Sequence, residues 1–599
     1  MIWIAVALIV LLLLDAGRMR GRLGALPTLP PSDQPPDPGH RFLVAPGVTV
    51  DDATRRAASA WARAEGVDVV DLVPRDLSTI GAMSLAQIVD PAQQRRDRFV
   101  VGRTASHAML VAAEVAERAG VTGDPADELA FLDVAARLKR YASTGYAVAV
   151  APAEHAIAPR LSRRRAVLRA VLGPMTPFAL LMQPLLWALL GLGVWLAPLP
   201  GAIALGVWHL QPLLAVAGTP IRSRDLPLVV LLRAPIELYY LIGTLAGRWK
   251  PDAGPDPVEA RRPEYARLLA GGTDRFLEPR RDTCPLCAST DLVVHRRCPD
   301  LLQHKPGRFT LERCRGCGHI FQNPGLSLEG LDFYYKDFYD GLGEDGMELI
   351  FGYSAASYRA RAAMVAGVTT PARWLDVGAG HGHFCAAARD QLPDTRFDGL
   401  DFGDSIEDAH RRGWVDTAYR GLFPDLAPTF AGAYDTVSMS HYLEHTLDPR
   451  RELAAAHTAL APHGHLMIEV PDPDFVLGKL LRSYWLPWFQ PQHQHIVSVA
   501  NLERLLREHG FEPIAWHRGP AHQGVDFFSA VFLALGRIAP AANVPWRRGG
   551  AFAHVRRAVV WTVGLPLLAV GWAADRIATP IIKRSRVSNT YRVLAKRAD

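Results

Sequence analysis

Leu375-Asp376-Val377-Gly378-Ala379-Gly380-His381-Gly382 is the stretch on which the fold turns. Trp374 to Val377 reads as a buried strand, the three glycines as a tight loop, and Phe384 to Gln391 as the first turns of a helix, which together make one βα unit. Glycine is required where the backbone adopts dihedrals closed to other residues, or must approach a ligand with no Cβ in the way. The spacing is G-x-G-x-G at 378, 380 and 382, and His383 stands where a dinucleotide fingerprint needs its third glycine, which argues against a nicotinamide cofactor.

Downstream, Phe397 to Leu400 reads as a second strand ending in Asp401, 25 residues after Asp376. Its carboxylate would sit at the sheet's C-terminal edge, where ribose hydroxyls bind in such folds. Further strands are predicted at Tyr434 to Met439 and His465 to Glu469, with a helix from Arg450 to Leu460 between them. This alternation predicts a Rossmann-like, doubly wound α/β sheet. Ser440 to His445, just past the fourth strand, should therefore face the ligand.

Upstream, Cys284-Pro-Leu-Cys287 and Cys314-Arg-Gly-Cys317 form two C-x2-C knuckles separated by 26 residues. Paired knuckles supply the tetrahedral four-sulfur set of structural Zn2+, so Cys284, Cys287, Cys314 and Cys317 are the expected metal ligands, with a folding role. His295 and Cys298, between the knuckles, are expected to be spectators. With only six cysteines in 599 residues, metal ligation in a reducing compartment fits better than a disulfide scaffold.

These motifs carry a resemblance. LDVGAGHG, GLD at 399–401, YDTVSMSHYLEHTLDP at 434–449 and LAPHGHLMIEVPDP at 460–473 look like class I S-adenosylmethionine-dependent methyltransferases. CPLC and CRGCGHIFQNP resemble the zinc-binding segment that precedes the catalytic domain of sugar C-methyltransferases and related bacterial proteins. The resemblance implies that S-adenosylmethionine is the cofactor. Asp376 would orient the loop and the methionine amino group, Gly378, Gly380 and Gly382 would line the cofactor, and Asp401 would hold the ribose. Leu422 and Phe423 would cover the adenine. One departure is His463-Gly464 in place of a glycine pair before the fifth strand.

Methyl transfer needs a positioned nucleophile and, for an alcohol, phenol or carbon acid, a proton acceptor. His441, His445 and His495 are the expected catalytic residues, with His445 also able to fix the loop structurally; imidazole has the fitting unperturbed pKa. His441-x-x-Glu444-His445 also matches a metalloprotease pattern, but it follows a strand instead of lying within a helix. Ubiquinone-pathway O-methyltransferases resemble this stretch too and hold a divalent ion through E-x-x-E-H, where this chain has His441 in the leading place. Tyr484, Trp485, Trp488 and Phe489 are expected to form either a lid over an apolar acceptor or a packed loop.

The rest of the chain is read from composition. A net charge of +6, from 66 basic and 60 acidic residues, argues against a nucleic-acid partner. Apolar residues make up 49% and mean hydropathy is slightly positive, concentrated in segments that predict membrane contact. Ile2 to Leu14 is thirteen apolar residues long, short for a span, and Arg18, Arg20 and Arg22 follow it, as for a retained anchor at 1–22 with a cytosolic C-terminal side. Residues 40–160 read as a small α/β domain of unassigned role, with its Asp and His residues at the surface. Val171 to Ala197 and Ala202 to Ala217 predict a membrane hairpin, while Arg233 and Glu237 predict that Leu226 to Ala246 lies at the interface or re-enters, giving a membrane region at 171–247. The zinc module is placed at 280–325, the methyltransferase domain at 355–540 and a further interfacial helix at 555–590, its basic flanks facing anionic lipid. The expected function is methyl transfer to a small-molecule, sugar or lipid-linked acceptor at the cytosolic face of the cell membrane, with a non-catalytic membrane scaffold as the alternative.

Overall fold

The computed structural model describes residues 2–152, 161–173, 176–246, 257–336 and 354–598. Residues 153–160 of the predicted small domain, and 174, 175 and 247 of the predicted membrane region, lie outside the described residues. The chain divides into two compact units, Met1–Gly254 and Pro255–Asp599, each described by itself.

In the first unit, β1 (His40–Val44), β2 (Val69–Val73), β3 (Ala108–Ala112) and β4 (Tyr146–Val150) form a sheet in the order β1-β3-β2-β4. Only the β2–β4 pair is parallel. Asp71 corrects the expectation that this region's acidic residues are solvated. It is fully buried in β2, accepting from Thr104 Oγ1 (2.8 Å) and the Ala105 N–H (2.9 Å).

Among the described residues, the apolar segments are built of helices. The first runs Ile2–Gly24, so the arginines continue the helix and the span is longer than its thirteen-residue apolar core suggested. Ile2–Gly24, Ala179–Leu196, Pro198–Val216 and Ala551–Lys583 are each long and apolar enough to cross a membrane. Gly193 and Gly201 let two of these helices touch, since a Cβ on Gly201 would lie 2.3 Å from Gly193 backbone. Arg233 and Glu237, which predict an interfacial or re-entrant position for Leu226 to Ala246, are paired with one another. Arg233 bonds Glu237 (2.7 Å), Gln211 (2.7 Å) and the Trp208 carbonyl, while Glu237 accepts from Gln183 (3.0 Å).

The second unit holds two sheets. β5 (Leu292–Cys298), β6 (Phe309–Cys314), β7 (Ile320–Gln322) and β13 (His495–Ile496) form one, in the order β13-β7-β6-β5. The larger contains β8 (Arg373–Val377), β9 (Arg396–Asp401), β10 (Thr417–Arg420), β11 (Tyr434–Ser440), β12 (Leu460–Pro471), β14 (Phe511–His517) and β15 (Thr590–Arg597). Its order is β10-β9-β8-β11-β12-β15-β14. The first five are parallel, and β15 inserts antiparallel between β12 and β14.

The position of β15 moves the boundary expected at residue 540. The domain's sheet closes only at 590–597, and β14 and β15 are joined through helices Asp526–Ile538 and Ala551–Lys583. Those helices pair with one another: Asp575 accepts the Phe527 N–H (3.0 Å) and Phe528 N–H (2.9 Å), and Arg557 and Trp561 donate to the Ala539 carbonyl at the other end. The predicted interfacial helix at 555–590 is thus a longer helix and then a core strand. Phe552 (78% exposed) and Val563 (71%) show how bare its outer face is.

Candidate functional site

Parallel strands β8, β9 and β11 end side by side, and the glycine loop leaves β8 there. The Gly378 and Ala379 N–H groups donate to the Leu400 carbonyl (2.8 and 3.1 Å). Asp401 Oδ2 accepts the Gly380 N–H (2.9 Å) and its Oδ1 the Gly403 N–H (2.8 Å), so this carboxylate, more than Asp376, orients the loop. Asp376 lies beneath it, 3% exposed, with Oδ1 accepting from Ser438 Oγ at 2.5 Å. Burial, only partly offset by Ser438, pushes its pKa up to about 7.

The three glycines differ in purpose. All have positive φ (75°, 52° and 73°). A Cβ on Gly378 would meet the Tyr442 ring at 2.7 Å and one on Gly382 would meet Ala409 at 2.9 Å, so both are packing positions. A Cβ on Gly380 would meet nothing within 4 Å, leaving backbone open to a ligand beside the partly exposed Asp401. The residues present fit a nucleoside-bearing cofactor at this edge: an open glycine backbone beside a carboxylate whose two oxygens each take one N–H and retain acceptor capacity.

Leu422 is 40% exposed at the rim, but Phe423 is fully buried in the core with Leu400 and Phe430, and does not cover an adenine. Phe402, 62% exposed directly after Asp401, is the apolar ring that sequence reasoning missed; an apolar residue after the acidic end of a strand was the available signal.

The predicted histidines separate. His441 has a positive φ of 51° and its ring lies between Glu444 Oε1 (3.0 Å from Nδ1) and Glu469 Oε1 (3.2 Å from Nε2), with the Gln523 side-chain amide 2.7 Å from Nε2. Burial would lower its pKa, but hydrogen bonds to the two carboxylates outweigh that and push it up to about 9. The raised pKa favours the protonated ring, and both ring nitrogens face carboxylates, which weighs against the role of base expected for His441. His495 also departs from expectation: His319 Nε2 (3.1 Å) and the Leu447 carbonyl (3.3 Å) occupy its two ring nitrogens, and burial pushes its pKa down to about 4. It ties the four-cysteine sheet to the loop after β11. His445 is kept neutral by burial, with Nδ1 against Tyr335 Oη and the Gln492 carbonyl (3.3 Å). His493, its neighbour in the 490s loop, is the histidine brought next to it, ring centroids 4.5 Å apart.

The raised pKa of His441 has a measurable consequence. The proton it keeps in the fold stabilises the protein fully below about 6.5, its ordinary value, and this contribution is lost as pH rises to about 9. Thermal melts between these limits should show falling stability with rising pH, and His441→Gln should flatten that slope; an unchanged slope would contradict the imidazolium.

Trp485 (1% exposed) and Trp488 (3%) are packed, with Trp485 Nε1 donating to Asp526 (3.1 Å), so they are core and no lid. The sulfurs of Cys284, Cys287, Cys314 and Cys317 all lie within 4.8 Å of one another, while His295 packs on Trp488 and Cys298 stands outside the cluster. Arg450 donates to the Leu286 carbonyl (2.9 Å) and Asn501 to the Cys317 carbonyl (3.0 Å), joining both knuckles to the larger sheet's helices.

Residues 353–515 match the family model described as "Methyltransferase domain". Over these residues the chain carries a methyltransferase domain. It is similar to a non-reducing polyketide synthase, esdpA, of Penicillium shearii, 27% identical over 171 residues, and spans 8% of that relative's length (26% of this chain). Among solved structures it is similar to the Burkholderia thailandensis 1,6-didemethyltoxoflavin-N1-methyltransferase with bound S-adenosylhomocysteine (18% identity, 45% of this chain, 87% of that one, TM-score 0.27). An Archaeoglobus fulgidus SAM-dependent methyltransferase is another (17%, 41% and 95%, TM-score 0.25).

Proposed function

We propose that this protein methylates an acceptor presented at a membrane surface, with a lipid-linked or sugar-bearing molecule as the acceptor class and the domain on the cytosolic side. The observation that carries this reading is the apolar helix pair set between β14 and β15, bare on its outer face and flanked by Arg556, Arg576, Lys583, Arg584 and Arg586. Such a helix binds at the boundary of an anionic membrane through apolar burial and basic flanks. Gln523, at the start of that insertion, also reaches His441, so the acceptor side of the site and the apolar pair are contiguous in the chain.

S-adenosylmethionine supplies an electrophilic methyl group when bound. Asp401 would hold the ribose hydroxyls, Gly380 would let the chain approach, Asp376 would face the methionine end, and Phe402 and Leu422 would flank the base. His445 is the histidine assigned to the acceptor side, and the His441 imidazolium fixes the Glu444 carboxylate next to it. The four cysteines would hold a structural zinc, as in the sugar C-methyltransferases that the knuckles resemble.

The test uses the full chain in detergent. Calorimetry should detect S-adenosylmethionine binding, and Asp401→Ala, which removes a charged acceptor, should weaken it by about 10- to 100-fold. Radiolabelled methyl should then enter a lipid-extractable product in membranes. No heat of binding, or equal binding by Asp401→Ala, would overturn the cofactor assignment; label entering only water-soluble products would overturn the membrane acceptor.

A further inference from the structure

We propose that Arg296, Arg482 and Arg537 form a binding site for the phosphate of an anionic phospholipid headgroup, distinct from the basic flanks of the helix Ala551–Lys583. The site rests on the membrane reading above and is independent of methyl transfer.

Three elements bring these arginines together. Arg296 is on β5, Arg482 follows the short helix Val476–Leu480, and Arg537 is in the last turn of the helix Asp526–Ile538. The Arg296 guanidinium stacks over the Trp488 ring at 4.9 Å, and Trp488 Nε1 donates to the Arg482 carbonyl (2.8 Å). Arg537 donates to Tyr484 Oη (3.3 Å), and the Cys298 thiol meets the Ser483 side chain while feeling the charges of both Arg296 and Arg537.

Like charges are thus gathered without a counter-charge. Among the described residues, no carboxylate forms an ion pair with Arg296, Arg482 or Arg537. Burial lowers the pKa of Arg296, and the neighbouring Arg482 lowers it further. Arg296 Nε is buried with no hydrogen-bond partner among the described residues. A phosphate offsets such a concentration by accepting charge-assisted bonds from guanidinium N–H groups. Arg482 also holds a φ of 52°, in the region that favours glycine, a strain found where a side chain's placement matters.

The surroundings favour a lipid over a soluble phosphate. On the short helix, Val476 (62% exposed) and Leu480 (66%) project outward, while Leu477 and Leu481 join Trp485, Trp488 and Ile582 in one apolar cluster. Ile582 ends the apolar helix Ala551–Lys583, so exposed apolar tips and arginines continue the bare surface of the insertion. Apolar tips beside basic groups suit the headgroup layer of an anionic membrane. The cavity beneath, lined by Cys298, Leu301, Leu302, Trp485, Leu486 and Leu533 among others, holds about 20 Å³, room for a water but not for an acyl chain, so the tails stay outside with Val476 and Leu480.

The full chain is placed in nanodiscs of phosphatidylcholine, alone or with phosphatidylglycerol, and amide hydrogen exchange is read by mass spectrometry over 292–298 and 476–484. Phosphatidylglycerol should slow exchange there by at least about five-fold. The double variant Arg482→Ala/Arg537→Ala should lose that protection while its circular dichroism spectrum stays unchanged; should it misfold, Arg482→Gln alone replaces it. Equal exchange in the two discs, or undiminished protection in the folded variant, would overturn the proposal. Equal protection by sn-glycerol 3-phosphate in neutral discs would also overturn it, by making the ligand a soluble phosphate. Neither cofactor nor acceptor is added, so protection in a chain that makes no methylated lipid would sink the acceptor reading alone, and a methylated lipid without protection would sink the headgroup site alone.

Discussion

Glu469→Gln should destabilise the catalytic unit by about 3–5 kcal/mol, the largest loss expected from any single side chain outside the cysteines. Glu469 is fully buried on β12. Its Oε1 accepts from Arg361 Nε (3.1 Å) and Nη2 (2.5 Å), and its Oε2 from Arg592 Nε (2.6 Å). Burial alone would raise its pKa, but the two guanidinium groups outweigh it and hold the carboxyl well below the ordinary range. One carboxylate thus fastens the helix Ala355–Ala366, strand β15 opposite it in register, and the His441 ring beyond β11. An amide of equal size leaves two buried guanidiniums without their counter-charge and the His441 ring with Glu444 alone, and such a deletion costs far more than an exposed pair would. Urea unfolding of the variant, with intrinsic tryptophan fluorescence as the probe, measures the loss. A midpoint equal to that of the unsubstituted chain would show that the cluster contributes no net stability.

Removing metal from the four cysteines should have an effect of similar or greater size. Structural zinc contributes its binding free energy to folding, on the order of 10 kcal/mol in small modules. Here β13 pairs with β7 in the cysteine-bearing sheet, and the Gln322 N–H donates to the Gln494 carbonyl (2.8 Å). Loosening the knuckles therefore frees His493 and His495 as well. The purified chain should contain one zinc, Cys284→Ser should lose it, and limited proteolysis should then cut within 280–325 and the 490s loop. Stoichiometric zinc in Cys284→Ser, or a protease pattern unchanged after its loss, would contradict this.

Much of the site was legible because its signals are local. The glycine loop, Asp401 and the two knuckles each lie within a few residues, and the structure brings together each of these sets at the sheet edge or in one cluster. The errors arise where a distant element decides. The ring of His441 is held by Glu444, three residues on, and by Glu469, from another strand, and only the first of these partners is local in sequence. His493 and His495 are not separated by spacing; position beside His445 or beside His319 separates them. Phe423 opens a short helix and enters the core, while Leu422, its N-cap, stays at the rim. Strand β15 was missed because its sheet partners come from residues before the apolar insertion, and its local pattern, buried from Thr590 to Ala595, shows no alternation to identify it.

That insertion has a mechanical consequence. A catalytic domain attached to an anchor by a flexible linker can tumble and present its site at any angle. Here each end of the apolar pair is joined by no more than eight residues to neighbouring strands of the larger sheet, and Arg518 at its start bonds Asp472 beyond β12 (2.5 Å). Whatever surface the pair settles on, the sheet takes one heading relative to it, so the height and tilt of the Asp401 edge are set by the fold and are not left to diffusion.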